Sequence, residues 1–203
     1  VVFGSEMSGG VKNGTVSHCV FNNTDRGIRI KTRRGRGGYV KGLKLENITM
    51  NNLEAFFTIN EYYIYGGELT VPKEIVFSQE KQEITPLTPK ISDISISKIN
   101  GENIKGVGIY FYGLPEAPIE NVYIKDVNLS VTGCEGVDAV MAYDRENVSG
   151  EGIFLQNAKN ILMSDVNINC TKEELTVISC QELNINGEKV KEIKLNDNVW
   201  GIE

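Results

Sequence analysis

The sequence predicts an all-β fold, a right-handed parallel β-helix (solenoid) with inserted loops. Three observations predict it: a repeated frame of alternating apolar residues, a second set of short apolar runs between the frames, and the lack of any segment with helical periodicity.

The frame has the form N-Φ-x-Φ-x-D/N-Φ-x-Φ, where Φ is apolar. Two copies align closely: Asn121-Val122-Tyr123-Ile124-Lys125-Asp126-Val127-Asn128-Leu129 and Asn160-Ile161-Leu162-Met163-Ser164-Asp165-Val166-Asn167-Ile168. Asp93 to Ile99 and Gly42 to Met50 fit the same frame, and Asn13 to Phe21 fits it more loosely. The alternation in the first half describes a strand with one buried face. The apolar phase then jumps after the Asp or Asn, so a polar bend residue turns the chain and a new short strand follows. A β-sandwich would alternate too, but with hairpin turns in place of this jump. Frames begin at 13, 42, 93, 121 and 160, with gaps of 29, 51, 28 and 39. A gap near 28 is one coil. The gap of 51 is either one coil plus a long excursion or two coils, and the gap of 39 implies a smaller excursion.

Between the frames lie Gly27 to Ile30, Ala55 to Ile59, Val107 to Phe111 and Gly152 to Leu155. Each is expected to form another wall of its coil. Such a unit cannot bury its apolar face alone and must stack on neighbours, at about 4.7–4.9 Å per coil. Two stretches break the rhythm: Glu61 to Pro89, with Gly66-Gly67, Pro72, Pro86 and Pro89, and the Gly-rich Thr132 to Gly150. Both read as excursions, and excursions from a solenoid commonly wall a binding groove. Gln181 to Glu203 is expected to be a terminal coil or cap, with Trp200 over the end of the core.

At 203 residues the chain suffices for one domain with a continuous core, 1–203, with its insertion at about 61–89 and its cap at about 181–203. No apolar run nears the length of a membrane span. Val1-Val2-Phe3-Gly4 reads as part of a strand with no initiator Met, so we expect a piece of a longer protein. A net charge of −6 argues against nonspecific nucleic-acid binding. Against that background, Arg26, Arg29, Lys31, Arg33, Arg34, Arg36, Lys41 and Lys44 make a basic strip, either a solvated face or a site for an anionic ligand. The four cysteines form no CxxC pair, so no zinc site is expected. Cys19, Cys134 and Cys170 read as small core residues, and Cys170 with Cys180 is a disulfide option in a secreted protein. Neither a cofactor nor a metal is expected. Sequons such as Asn47-Ile48-Thr49 and Asn128-Leu129-Ser130 leave the compartment open.

Arg29-Ile30-Lys31 is the sharpest local feature. In a strand, Arg29 and Lys31 project to one side, in water or in a groove, and Ile30 fills the core. Adjacent cations repel, and a carboxylate ligand offers a reason to hold them together: Arg grips it with a bidentate fork while Lys adds a point charge.

The surrounding residues resemble glycoside hydrolase family 28, the polygalacturonase-like pectin hydrolases. The matching runs are Gly4-Ser5-Glu6-Met7-Ser8-Gly9-Gly10, Gly27-Ile28-Arg29-Ile30-Lys31, the basic Gly-rich turn after it, Phe57-Thr58-Ile59-Asn60-Glu61-Tyr62-Tyr63, and Phe111-Tyr112-Gly113-Leu114-Pro115-Glu116. The resemblance implies hydrolysis of α-linked galacturonan with inversion, by a protein of which this chain is the C-terminal part. Arg29 and Lys31 would bind a galacturonate carboxylate, and Tyr63, or less readily Tyr62, would contact a sugar. Without the family, such a tyrosine reads equally as a loop anchor. Glu6 either lines the groove or shapes a turn. The family's Asn-Thr-Asp segment, Asp-Asp pair and Gly-His-Gly turn precede the Ser-Glu-Met-Ser-like run, so they are expected upstream of Val1, and the chain alone is expected to be inactive. Asn23-Thr24-Asp25 matches by letters only, and His18, inside a strand frame, reads as a surface or core residue. The partner implied is an acidic polysaccharide or oligogalacturonide. Alternatives are a hydrolase of rhamnogalacturonan or another decorated pectin, with exo or endo mode open, and a noncatalytic β-solenoid that binds acidic polysaccharide.

Overall fold

The computed structural model describes residues 1–134, 138–145 and 147–190. In chain order the elements are β1 (Val2–Gly4), β2 (Val11–Lys12), β3 (Thr15–Lys31), β4 (Tyr39–Asn60), the single-turn helix α1 (Lys73–Val76), β5 (Lys90–Tyr112), β6 (Ile119–Val131), β7 (Glu151–Gln156), β8 (Ala158–Asn169), β9 (Leu175–Ile178), β10 (Gln181–Ile185) and β11 (Glu188–Val190). Neighbouring strands pair in parallel throughout, except for the final β10–β11 hairpin. The chain is a parallel β-helix.

The registers show why the repeat exists. Val16 pairs with Leu45, Leu45 with Ile96, Ile96 with Ile124, and Ile124 with Met163. Each frame is thus one coil lying on the last. The gap of 51 is therefore a single coil carrying the excursion 61–89, and the gap of 39 a coil carrying 132–150. The second runs stack likewise, with Ile28 on Phe57, Phe57 on Ile109 and Ile109 on Ile153.

The phase jump has a backbone cause. His18, Asn47, Lys98, Asp126 and Asp165, one at each frame's bend, all have φ between 53° and 57°. A left-handed residue inside an otherwise extended run swings the strand through a corner, and after glycine Asn and Asp tolerate that conformation best. Two further corners repeat the device, one at Asn13, Gly42, Asp93, Asn121 and Asn160, the other at Asn23, Asn52 and Asn103. Their side chains hydrogen-bond from coil to coil: Asn160 Nδ2 donates to Asn121 Oδ1 at 2.7 Å, and Asn121 Nδ2 to Asp93 Oδ1 at 2.8 Å.

Inside the coils lies a core of aliphatic columns with Phe57 and Phe111 edge to face, ring centroids 5.3 Å apart. A second core lies outside. Outward side chains of β4, β5 and β7 meet residues from both excursions, among them Tyr62, Val76, Phe77, Ala139, Val140 and Ala142. The helical turn α1 belongs to this layer; the sequence pattern gives no sign of it, because one turn beginning after Pro72 is too short to show a period. Cys180 lies in the inner core and Cys19 and Cys170 pack against it. Cys134, read as a core residue, is exposed, since it lies past the end of β6. At the C-terminal end β10 stacks in register on β8; Trp200, expected over the end of the core, lies outside the described residues.

Candidate functional site

Arg29 and Lys31 stand in two outward columns, next to Val2 and Gly4 of β1. Arg29 stands in register with Thr58, Tyr110 and Phe154, and Lys31 with Asn60, Tyr112 and Gln156. Farther along both columns the outer layer seals the face. Tyr110 stacks on Phe154 at 4.9 Å, Arg145 lies 4.1 Å above the Phe154 ring, and Tyr62 stacks on Tyr112 at 4.3 Å. The Tyr112 hydroxyl, pushed up to about 12 by burial, accepts a hydrogen bond from Gln79 Nε2 at 2.7 Å.

Tyr63 closes over the two cations. Its ring centroid is 4.4 Å from Lys31 Nζ and 5.2 Å from the Arg29 guanidinium carbon, and Lys31 Nζ donates to its hydroxyl at 3.1 Å. The ring is placed by backbone on both sides: Tyr63 N–H donates to Thr32 O at 3.0 Å, and Tyr63 bridges Ala142 in the other excursion. Asn60 ties these pieces together. Its Nδ2 donates to the carbonyls of Val140 and Met141, each at 3.1 Å, and its Oδ1 accepts from Tyr62 N–H at 2.8 Å. Tyr62 faces the other way, fully buried, with its hydroxyl on Ser78 O, so Tyr63 is the tyrosine that meets the cations.

Of the two settings open to Arg29, water or a groove, water does not apply: it is 7% exposed, because Tyr63 and Met141 cover it. Its Nη2 donates to Met141 Sδ at 3.0 Å, a weak acceptor, and its Nε is buried with no hydrogen-bond partner among the described residues. Burial, and then neighbouring Arg26, lower its pKa from the ordinary guanidinium value. Among the described residues neither Arg29 nor Lys31 forms an ion pair.

The remaining basic strip is mostly structural. Arg26 pairs with Glu54 at 2.8 Å and binds the carbonyls of Asp138 and Ala139. Arg33 holds the carbonyls of Tyr63, Tyr65, Gly66 and Gly67. Arg34 grips Glu116 with two bonds of 2.6 and 2.9 Å and binds the carbonyls of Ile75, Val76 and Ser78. Burial alone would raise the Glu116 carboxyl, but those bonds hold it below its ordinary value. Lys41 and Lys44 pair with Asp93 and Glu46. Arg33 and Arg34 rivet the first excursion to the coils, and Arg26 rivets the second.

A family model described as glycosyl hydrolases family 28 matches residues 2–148. The chain belongs to glycosyl hydrolase family 28. Among curated relatives, it is 30% identical over 130 residues to a probable polygalacturonase of Vitis vinifera, covering 64% of this chain and 24% of that one. It is 33% identical over 129 residues to an exopolygalacturonase of Arabidopsis thaliana, covering 62% and 26%. A polygalacturonase of Gossypium barbadense is 31% identical over 121 residues, covering 59% and 27%. The chain spans about a quarter of the length of these family 28 relatives. No solved structure gives a significant match.

Sequence reasoning missed Asn60 and Met141 as parts of this site. Asn60 stands beside the tyrosine pair and Met141 is 112 residues from Arg29, so only the folded excursion joins them. His18 is exposed at a corner, within 3.4 Å of the Asn47 carboxamide, and Asp25 is exposed beside Arg26. The described carboxyl groups offer limited acid–base chemistry. Glu6 is held below the ordinary carboxylate range by the Ser5 hydroxyl and by Arg36. Glu61 is pushed well above it by burial, but is sealed from solvent with Oε2 on Leu114 N–H.

Proposed function

We propose that this chain carries the uronate-binding side of a groove in a glycosidase that hydrolyses α-linked galacturonan, the acidic backbone of pectin. The observation that carries the reading is the pair Arg29 and Lys31: two cations that have no carboxylate partner among the described residues, under one tyrosine ring. A buried, under-bonded guanidinium beside an ammonium is costly to fold unless an anion completes it. A sugar carboxylate fits, with the Tyr63 ring offering an apolar face to the pyranose and its hydroxyl a polar tip. A neutral sugar would leave the cations unanswered. The polygalacturonase names of the relatives support the same substrate class.

Inversion requires a general acid with a raised pKa and a carboxylate base that activates water on the opposite face of the sugar. Among the described residues, the raised carboxyl is buried Glu61, and the carboxylate beside the cations, Glu6, is lowered. Neither can protonate a leaving oxygen, so this chain alone binds substrate without cleaving it. Titration with trigalacturonate is expected to show binding, and a reducing-sugar assay on polygalacturonate no turnover. Arg29→Ala with Lys31→Ala is expected to weaken binding by about 10²-fold, as two charge-assisted contacts are lost. Unchanged binding by that variant would remove the carboxylate role, and turnover would remove the proposed inactivity.

The same layer supports an exo mode. Gln79 lies over Tyr112 and bonds Gln156 at 3.1 Å, so the first excursion walls the groove beyond Lys31. A walled groove admits chain ends. Sites bound per mole of polymer should then track the number of ends, not the length; stoichiometry that scales with length would exclude this mode.

A further inference from the structure

A third cation shares the Tyr63 ring. The Arg36 guanidinium carbon lies 6.0 Å from its centroid, against 5.2 Å for Arg29 and 4.4 Å for Lys31. Arg36 differs from its neighbours in the strip. Its side chain is 10% exposed, yet its carboxylate partner, Glu6, is 72% exposed and 3.1 Å away. Arg36 does not need Glu6 to stay in place, because Nη2 also donates to Gly66 O at 2.7 Å. Its Nη1 is buried with no hydrogen-bond partner among the described residues, although a guanidinium is built to grip a carboxylate with two nitrogens. Glu6 in turn has a second anchor, the Ser5 hydroxyl, which donates to Oε2 at 3.0 Å. The backbone comes close here: a Cβ on Gly66, at φ +86°, would lie 3.1 Å from Arg36 Nη2 and 3.6 Å from Glu6 Oε1.

We propose that Glu6 and Arg36 form an exchangeable ion pair, in which Glu6 holds the place that the carboxylate of a second, neighbouring uronate takes on Arg36. The proposal rests on the reading of Arg29 and Lys31 as the first uronate site. Charge supports it: three cations surround the ring, so with Glu6 displaced two uronates still leave a positive excess. Energetics support it too, because an ion pair with one partner in water is weak and easily exchanged. A substrate carboxylate that reaches both Arg36 nitrogens would make the stronger, bidentate contact. Arg36 lets the groove favour two adjacent free carboxylates over one, and Glu6 keeps that guanidinium paired when no second uronate is bound.

The test is calorimetric titration of the chain with galacturonate and with digalacturonate. Arg29→Gln should weaken both ligands. Arg36→Gln should leave galacturonate binding unchanged and weaken digalacturonate about tenfold. Glu6→Gln, a change at an exposed side chain, should leave galacturonate unchanged and tighten digalacturonate about threefold by removing the competitor. If Arg29→Gln has no effect, the uronate reading itself fails. If Arg29→Gln weakens binding while Glu6→Gln and Arg36→Gln alter neither ligand, or both alike, this inference alone is overturned. Should Arg36→Gln disturb the fold, Glu6→Gln decides, and digalacturonate binding no tighter than wild type rejects the exchange.

Discussion

Inside the coils, the buried side chains are mostly Ile, Leu, Val and Phe, repeated in columns such as Leu45, Ile96, Ile124 and Met163. Outside, beneath the excursions, they include three tyrosines, and close by are a buried Arg–Glu pair and a buried glutamic acid. The inner core repeats because every coil has the same neighbours above and below, so one solution serves all. The outer core does not repeat, because each excursion is unique and meets polar atoms that must be bonded one by one. The site sits where the outer core stops, on the coil of Arg29 and Lys31. The inner core therefore sets the spacing of the cations, and the outer core decides which of them remain unpaired.

That division is open to test by comparing one truncation in each core. Phe57→Ala opens a cavity against Phe111 and should cost about 3–5 kcal/mol of global stability. Arg34→Ala leaves the Glu116 carboxylate buried and unpaired, at a cost of about 3–5 kcal/mol, but the loss should fall on the excursion. Hydrogen exchange should then show Phe57→Ala lowering protection in the Ile96 and Ile124 strands. Arg34→Ala should instead deprotect residues 73–78, spare those strands and weaken uronate binding through a displaced Tyr63. Equal loss of protection in both regions would mean that the two cores unfold as one unit.

A smaller effect separates the cores by pH. Burial holds the Glu61 carboxyl protonated well above its ordinary value, so folding favours the protonated form. Its contribution is complete below the ordinary carboxylate pKa of 4.5 and is lost as pH rises from there through the raised folded value. Leu114 N–H and Arg34 favour the charged form, and Glu116 opposes it. Glu61→Gln should remove this dependence, so the variant gains stability relative to wild type as pH rises above 4.5. Matched denaturation curves at acid and neutral pH would check this, and parallel curves for the two proteins would refute it.

How much of this was legible in the sequence follows the same boundary. The inner core was legible because burial there imposes a period, and the jump after Asn47, Asp126 and Asp165 reports a real corner. The excursions were visible as breaks, but their contacts were not. Tyr110 and Tyr112 occupy outward positions of β5 that a period-two reading assigns to solvent, and excursion residues cover them. Arg29 and Lys31 were legible as neighbours on one face, which strand alternation dictates. Burial of Arg29 was not, since it depends on Met141, brought from a distant excursion. For Arg33 and Arg34 the sequence showed charge, and only the fold shows that carbonyls and Glu116 consume it.

The smallest predicted effect tests whether the corners, not the columns, limit the inner core. Five coils place His18, Asn47, Lys98, Asp126 and Asp165 at the same bend, all at positive φ. For most L-residues that region costs about 1–2 kcal/mol, and Asn and Asp reduce the cost by bonding locally. Lys98 has no such means, and it is exposed, so nothing in the core repays its strain. Lys98→Asn should stabilise the protein by about 0.5–1 kcal/mol, measured as a raised urea midpoint with unchanged slope. Lys98→Ala removes the same charge but keeps the strain, so it should bring no gain. If Ala stabilises as much as Asn, the benefit comes from removing the lysine side chain, and the corner is not the limiting feature. If Asn alone stabilises, the Asp/Asn position of the repeat is explained by backbone conformation, independently of what the columns bury.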